Sequence, residues 1–278
     1  MPELPEVETM RRGIAGVVGS RVRSVERARC RLKPILISPR IDAFRRRTVG
    51  REVLEVGRLG KRVSLRLAGG ESLVFEPRMT GLVLIADPPN IEHLRFRMSF
   101  SGGPITELWY WDRRGLGSVR LFSDEELAEH FGDSKLGPDA LAVTADELRA
   151  HFRGSRRAIK VALLDQRGIA GIGNLYASEI LHVAAIHPER PCENMNRSQW
   201  VRVHAAIVQV LTEAVRYEGS TLADGTYRNA LNVQGGYQHH HRVYNRAGER
   251  CPRCSGVVRR FVQAQRSTFF CPKCQRKR

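Results

Sequence analysis

Residues 251–274 read CPRCSGVVRRFVQAQRSTFFCPKC, and this stretch fixes one end of the fold. Two Cys-x2-Cys pairs, Cys251 with Cys254 and Cys271 with Cys274, enclose sixteen residues. Four thiolates at this spacing suit a closed tetrahedral zinc site, because each pair forms one knuckle and a hairpin must bring the knuckles together. Four protein ligands leave no open position, so the expected metal is one structural Zn2+. Between the pairs, 257–262 and 267–270 read as two short strands, and their turn presents Gln265 and Arg266. Cys30 and Cys192 stand alone and read as ordinary thiols. Six cysteines in 278 residues, with no secretory leader, fit a reducing compartment better than a set of disulfides.

Charge points to what such a module holds. The chain has 46 Lys and Arg against 29 Asp and Glu, a formal charge of +17. Residues 239–278 alone contain eleven basic side chains and the single acid Glu249. A polyanion is the natural partner. Membrane surfaces also attract basic chains, but no transmembrane run or lipidation signal is present. Just upstream, His239-His240-His241 reads as a basic lead-in to a strand, since three adjacent histidines do not converge on one ion. Residues 220–237, with Gly225, Gly235 and Gly236, read as a mobile stretch.

Further upstream the length suits two domains, the second carrying the metal module. Residues 22–122 alternate with the period of strands. In 92–100, EHLRFRMSF, the alternation sets Leu94, Phe96, Met98 and Phe100 on one face. With 62–67 and 73–75 this predicts an antiparallel β-sandwich of about a hundred residues. An acidic helix over 123–131 closes it, and 132–139, rich in Gly, Pro and polar residues, marks a boundary. Beyond it Thr144-x-x-Glu147 is a capping box and 200–217 a long apolar-periodic helix. Between them a helix from Ile159-Lys160 ends near Gln166. Gly168, Gly171 and Gly173 then force turns, and Asn174 is placed to cap a helix running through Glu179. Amides ahead of a helix N-terminus can bind a phosphate, with Asn174 as an extra donor; such glycines also serve simply to tighten helix packing.

The chain opens Met1-Pro2-Glu3-Leu4-Pro5-Glu6. Removal of Met1 would expose the secondary amine of Pro2. A terminal amine titrates near ~8 and a lysine near ~10.4, so at neutral pH roughly a tenth of the former is neutral and nucleophilic. From Pro5, Val7, Met10, Ile14 and Val17 form one helical stripe, with Gly19 as the stop. Glu3 and Glu6 lie within reach of the amine. They either relay protons there or dress a helix N-terminus, where acids are favoured anyway.

Three separated motifs, in order across essentially the whole chain, resemble the formamidopyrimidine-DNA glycosylases. They are Pro2-Glu3-Leu4-Pro5-Glu6-Val7-Glu8, the stretch Asp165-Gln166 through Ala170-Gly171-Ile172-Gly173-Asn174-Leu175-Tyr176-Ala177 to Glu179, and the cysteine module with Gln265-Arg266. The resemblance implies an α+β chain. Its parts are an N-terminal β-sandwich with flanking helices (1–133), a helical helix-two-turn-helix domain (134–237) and a C-terminal β-hairpin zinc finger (238–278). It implies a bifunctional enzyme of base excision repair, in the cytoplasm with the nucleoid, acting as a monomer on damaged double-stranded DNA. That enzyme releases oxidised purines such as 8-oxoguanine and formamidopyrimidines, then cuts the abasic strand.

The same resemblance implies site roles. Pro2 attacks the sugar and forms a Schiff base, Glu3 is the general acid or base, and Glu6 supports the pocket. Lys61 and Arg266 hold phosphates beside the reacting sugar, and Lys160, Asn174 and His93 contact the DNA backbone. Met79, Arg114 and Leu116 fill the gap left by the flipped nucleotide, and 220–237 covers the flipped base. The chain departs from the family pattern twice: Leu116 replaces an aromatic wedge, and Glu76 replaces a phosphate-binding histidine, so that either Arg78 binds that phosphate or no side chain there does. Arg114 makes cytosine a reasonable opposite base. Two other readings stand beside this one. An endonuclease VIII-type enzyme for oxidised pyrimidines is favoured by Leu116 and disfavoured by Leu4. A non-catalytic zinc protein that senses damage is disfavoured by Pro2, Glu3 and Lys61 together.

Overall fold

A computed structural model describes residues 2–277, so Met1 and the question of its removal lie outside the described residues. The chain divides into two compact units, Met1–Gly132 with Tyr217–Gly236 and Asp133–Arg216 with Tyr237–Arg278. The segment 217–236 is thus grouped with the first unit, not with the helical stretch it follows in sequence.

The first unit starts with α1 (Leu4–Gly13), whose N-cap is Glu3 and which continues as a 3-10 turn over Ala15–Val17. Val7, Met10, Ile14 and Val17 are all fully buried, as the helical stripe predicts, and Gly19 turns the chain with φ +83°. Two sheets follow. One consists of β1 (Arg21–Arg27), β7 (Leu94–Ser101), β8 (Glu107–Asp112) and β6 (Gly81–Leu84), in that order. The other is ordered β2 (Leu36–Ser38), β9 (Ser118–Ser123), β5 (Glu71–Glu76), β4 (Val63–Leu67), β3 (Val53–Arg58). All ladders are antiparallel except β2 with β9, a short parallel edge that the sequence pattern does not foretell. Helix α2 (Ile41–Thr48) supplies Phe44, whose ring meets Phe96 at 5.4 Å; Phe75 stacks on Tyr110 at 5.8 Å. Apolar residues of both sheets share one core with the buried stripe of α1. Helix α3 (Asp124–Phe131) is capped by Ser123 and Glu126 in a capping box.

The underside of α1 is held by charge. Glu8 accepts from Arg11, Arg12 and Arg58. Burial raises the Glu8 carboxyl, but the three guanidinium groups outweigh it and bring it down to about 2. A depressed carboxylate contributes stability above its unfolded value, near 4.5, and loses it as pH falls toward about 2. Glu8→Gln is therefore expected to flatten the stability profile between about pH 5 and 2.5. Urea unfolding across that range measures it, and a profile as steep as wild type contradicts the assignment.

The second unit packs α4 (Ala145–Phe152), α5 (Ile159–Leu163), α6 (Asn174–Ala184) and α7 (Arg197–Arg216). Thr144 and Glu147 form the expected capping box of α4, and the rings of Phe152 and Trp200 stack at 6.1 Å between α4 and α7. The hairpin β10 (Arg259–Gln263) with β11 (Arg266–Phe270) carries the cysteine knuckles. Among the described residues no helix is long and apolar enough to cross a membrane.

Candidate active site and nucleic-acid interface

The N-terminus of α1 brings three candidate residues together. Pro2 is buried beside Glu3, which is 4% exposed. Glu3 and Glu6 form a reciprocal capping box: the Glu3 carboxylate accepts from the amide of Glu6, and Glu6 Oε2 accepts from the Glu3 amide at 2.8 Å. The helix-dressing reading of these two acids therefore holds, and the capping bonds fix both carboxylates at the N-terminus of the helix that Pro2 precedes. The other oxygen of Glu6 accepts from the Ser220 amide at 2.8 Å, tying the segment 217–236 to α1. Gly219, φ +78°, sits at the contact; a Cβ there would lie 2.8 Å from Glu6 Oε1.

Lys61 occupies the tip of the β3–β4 hairpin. Leu59 and Arg62 exchange backbone hydrogen bonds at 2.9 and 3.1 Å, leaving Gly60-Lys61 as a two-residue turn with Gly60 at φ +59°. Arg58, just before the turn, donates to Glu8 at 3.1 Å and to the Gly60 carbonyl at 3.3 Å. The hairpin that carries Lys61 is thereby anchored to the helix that begins after Glu3.

Glu76 ends β5 and is engaged by two arginines. Arg62 donates to Oε1 at 2.8 Å, and Arg78 Nε lies 3.2 Å from the same oxygen. Arg78 is 61% exposed along its side chain and holds φ +51°, an uncommon conformation for a residue with a Cβ. Glu76 thus turns its charge onto its own arginines.

Two loops carry Met79, Arg114 and Leu116, and one buried carboxylate joins them. Asp112 accepts from the Thr80 hydroxyl, from the Arg114 amide at 3.2 Å and from the Gly117 amide at 2.8 Å. Thr80 Oγ1 accepts in turn from the Arg114 amide at 3.0 Å. The loop after Met79 and the loop of Arg114 and Leu116 therefore form one locked structure, while all three side chains face solvent, Met79 at 38% and Leu116 at 41%. Buried Arg95 breaks the outward alternation of β7 at a register shift and supports the arrangement by donating to the Asp112 carbonyl at 2.9 Å. His93 sits edge-on to Trp111 at 5.4 Å, with Nδ1 buried and unbonded.

In the second unit, Lys160 and Asn174 act on the zinc hairpin. Lys160 is 1% exposed, and its ammonium donates to Asn174 Oδ1 (2.7 Å), Thr268 Oγ1 (2.7 Å) and the Ser267 carbonyl (3.2 Å). That inward direction differs from an outward phosphate contact: Lys160 orients Asn174 and the hairpin. Asn174 does not cap α6 either. Gly173 is the N-cap, Asn174 is the first helical residue, and its side-chain amide donates to the Ser267 carbonyl at 3.0 Å. Arg266 is exposed at the start of β11, after Ala264 (φ +46°) and Gln265 (φ +58°). Two consecutive left-handed residues are what a tight hairpin turn requires, here without glycine.

The four cysteines meet. Their Sγ atoms all lie within 4.8 Å of one another, with Cys254 to Cys271 at 3.4 Å and Cys251 to Cys274 at 3.9 Å. A tetrahedral Zn2+ with bonds of about 2.3 Å spaces its sulfurs about 3.8 Å apart, whereas a disulfide needs about 2.05 Å. The donor set fits one zinc ion and not disulfides. Gly256 lies against the site: a Cβ there would stand 3.2 Å from Lys273 Cβ, a tight contact, and in ordinary contact with two of the sulfurs at 3.4 Å. Among the described residues this is the one group of His, Cys, Asp and Glu side chains that converges as ligands. The triplet 239–241 lies instead in and after a 3-10 turn (Tyr237–His240), so it is no lead-in to a strand. Nor is 220–237 a simple mobile stretch: Tyr227 and Ala230 join the sandwich core, and Gly235 packs so closely on the Gly219 carbonyl that a Cβ would lie 2.4 Å away.

Sequence reading alone does not find Asp112, Thr80 or Thr268. Each is a polar residue in a strand or turn, and only its distant partners mark it; a signal exists for Asp112 alone, an acid opening a glycine-containing loop.

Three family descriptions match: the formamidopyrimidine-DNA glycosylase N-terminal domain over residues 1–119, the formamidopyrimidine-DNA glycosylase H2TH domain over 136–225, and a zinc finger found in FPG and IleRS over 248–276. The formamidopyrimidine-DNA glycosylase of Chloroflexus aurantiacus is 40% identical over 280 residues, covering 99% of this chain and 98% of its own. Lactococcus lactis FPG (MutM), solved with FAPY-dG-containing DNA, superposes with a TM-score of 0.84 at 30% identity and covers 99% of this chain and 100% of its own. A MutM solved with DNA containing carbocyclic 8-oxo-G gives 0.85 at 31% identity, with the same coverage.

Proposed function

The chain belongs to the formamidopyrimidine-DNA glycosylase family, and from that premise we propose that it releases oxidised purines from duplex DNA and cuts the resulting abasic strand through the amine of Pro2. The observation that carries this reading is the buried Glu3 carboxylate, fixed by the capping box at the positive end of the α1 dipole, one residue after the buried Pro2. The dipole favours the neutral amine. Pro2, with Met1 removed, attacks C1′, and Glu3 donates a proton to the sugar ring oxygen as the base departs. The C1′–N iminium acidifies the C2′ proton; its removal expels the 3′ phosphate in β-elimination, and a second elimination expels the 5′ phosphate.

DNA contacts come from both units in this proposal. Lys61, Arg78 and His93 serve the first, and Asn174 and Arg266 the second, with Lys160 orienting Asn174. Met79, Arg114 and Leu116 fill the gap left by the extruded nucleotide, an apolar wedge with one guanidinium to meet the partner base. The locked Asp112–Thr80 link supports this role, since a wedge must be rigid to hold stacked bases apart. The thiolate-bound zinc suits reducing surroundings, and we place the enzyme on chromosomal DNA in the cytoplasm, acting as a monomer.

Single-turnover base release tests the substrate class. With 8-oxoguanine opposite cytosine and a thymine glycol duplex of otherwise the same sequence, the purine lesion is expected to be released at least about tenfold faster. The reverse order would favour the pyrimidine-lesion reading that Leu116 supports.

Arg78 provides a separate check. Exposed and aimed by Glu76, it takes the phosphate contact that Glu76 itself repels. Arg78→Ala is expected to lower duplex affinity several-fold and reduce the slope of log K against log salt by about 1. Fluorescence anisotropy over a salt series measures this, and an unchanged slope contradicts the role.

A further inference from the structure

The C-terminal end of α6 meets the zinc knuckles through side chains that the excision chemistry does not use. Glu179 and His182 lie three residues apart and share one face of the helix. Glu179 is fully buried and accepts from the backbone amides of Arg242, Val243 and Tyr244 at 2.8, 2.9 and 2.8 Å. His182 is 2% exposed and places Nε2 3.2 Å from Cys251 Sγ. Arg253, inside the first knuckle, donates back to the Val183 carbonyl at 3.2 Å.

A zinc-bound thiolate carries no proton, so a contact at that sulfur must be an N–H···S hydrogen bond with Nε2 as donor. The ring then holds its proton on Nε2 and leaves Nδ1 as a bare acceptor. Nδ1 is indeed buried without a hydrogen-bond partner. A ring present only to fill space gains nothing from a nitrogen left in that position; a ring selected as a donor to sulfur does. Zinc with four thiolates carries a net charge of −2, and a donor to one sulfur disperses part of it. A donor fixed at Cys251 favours the deprotonated, metal-bound form of that sulfur over the protonated thiol that leaves the metal, and it lowers the sulfur's reactivity toward an electrophile.

We propose that His182 is a positioning residue of the zinc site, donating through Nε2–H to the Cys251 thiolate from a helix outside the finger and slowing both metal loss and attack on that sulfur.

The test uses the full-length zinc protein and follows zinc release to excess chelator, with His182→Phe and His182→Gln beside wild type. Phenylalanine fills the space without an N–H, and the glutamine amide can reach the position of Nε2. The Phe variant is expected to release zinc about tenfold faster, with the Gln variant restored most of the way to wild type. In cobalt-substituted protein the thiolate-to-metal charge-transfer band should move to lower energy in the Phe variant and return in the Gln variant, a readout that packing alone does not move. If the Phe variant does not fold, His182→Met, which also lacks the donor, takes its place on the same readouts. Wild-type release from the donor-less variant would overturn the proposal. So would a Gln variant that loses zinc as fast as Phe with no band shift, because His182 would then be packing only.

Discussion

Replacing Glu3 by glutamine is expected to slow release of 8-oxoguanine by about 10²- to 10⁴-fold, the range of a positioned general acid, while leaving duplex binding within a few-fold of wild type. The capping geometry makes this substitution informative. Glu3 accepts from the Glu6 amide, and its own amide donates to Glu6 Oε2 at 2.8 Å. Glutamine keeps a carbonyl oxygen for the first bond and leaves the second untouched, so the helix start survives and only the titratable proton is lost. Glu3→Ala would remove the cap as well, costing about 1 kcal/mol of stability and confusing the two effects. Single-turnover base release with a parallel thermal melt separates them. Release within threefold of wild type would mean that Glu3 serves the helix and not the reaction.

Removing the metal is expected to have an effect of similar size on binding. With Cys271→Ser or exhaustive chelation, duplex affinity should fall by more than about a hundredfold, because metal-binding energy in such a module is folding energy. The consequence reaches beyond the knuckles. Lys160 holds Asn174 and also bonds Thr268 and the Ser267 carbonyl, so a hairpin that loses its order releases Asn174 along with Gln265 and Arg266. One cause thereby disables two groups of proposed phosphate-binding side chains. Anisotropy titrations on zinc-loaded and zinc-free protein give the comparison; tight binding that survives zinc removal would contradict this coupling.

Local patterns are the parts of the fold most legible in the sequence. The stripe Val7, Met10, Ile14 and Val17, the capping box at Thr144, the alternation through Phe96, Met98 and Phe100, and the cysteine spacing each follow from interactions between residues close in the chain. What escapes depends on distant partners. Thr80 and Asp112 are 32 residues apart, and Lys160 and Thr268 are 108 apart. Sequence spacing marks Lys160 as basic but does not show that its ammonium turns inward. The same limit explains 220–237, whose glycines suggest looseness until Tyr227 and Ala230 are seen in the sandwich core. Asn174 lies one position past the cap that its pattern predicts, because its side chain serves the hairpin and leaves Gly173 as the cap. His182 gives no signal at all, since a histidine near a helix end reads as a response to the dipole until its sulfur partner is located.

In the proposed mechanism one amine both releases the base and cuts the strand, and borohydride trapping captures the covalent intermediate it would form. The protein is incubated with a duplex carrying 8-oxoguanine opposite cytosine, reduced with borohydride, digested and mapped. One covalent DNA adduct is expected, on the peptide that begins with Pro2, which would also show that Met1 has been removed. An adduct on Lys61 or another lysine, or no adduct despite tight binding and released base, would contradict it.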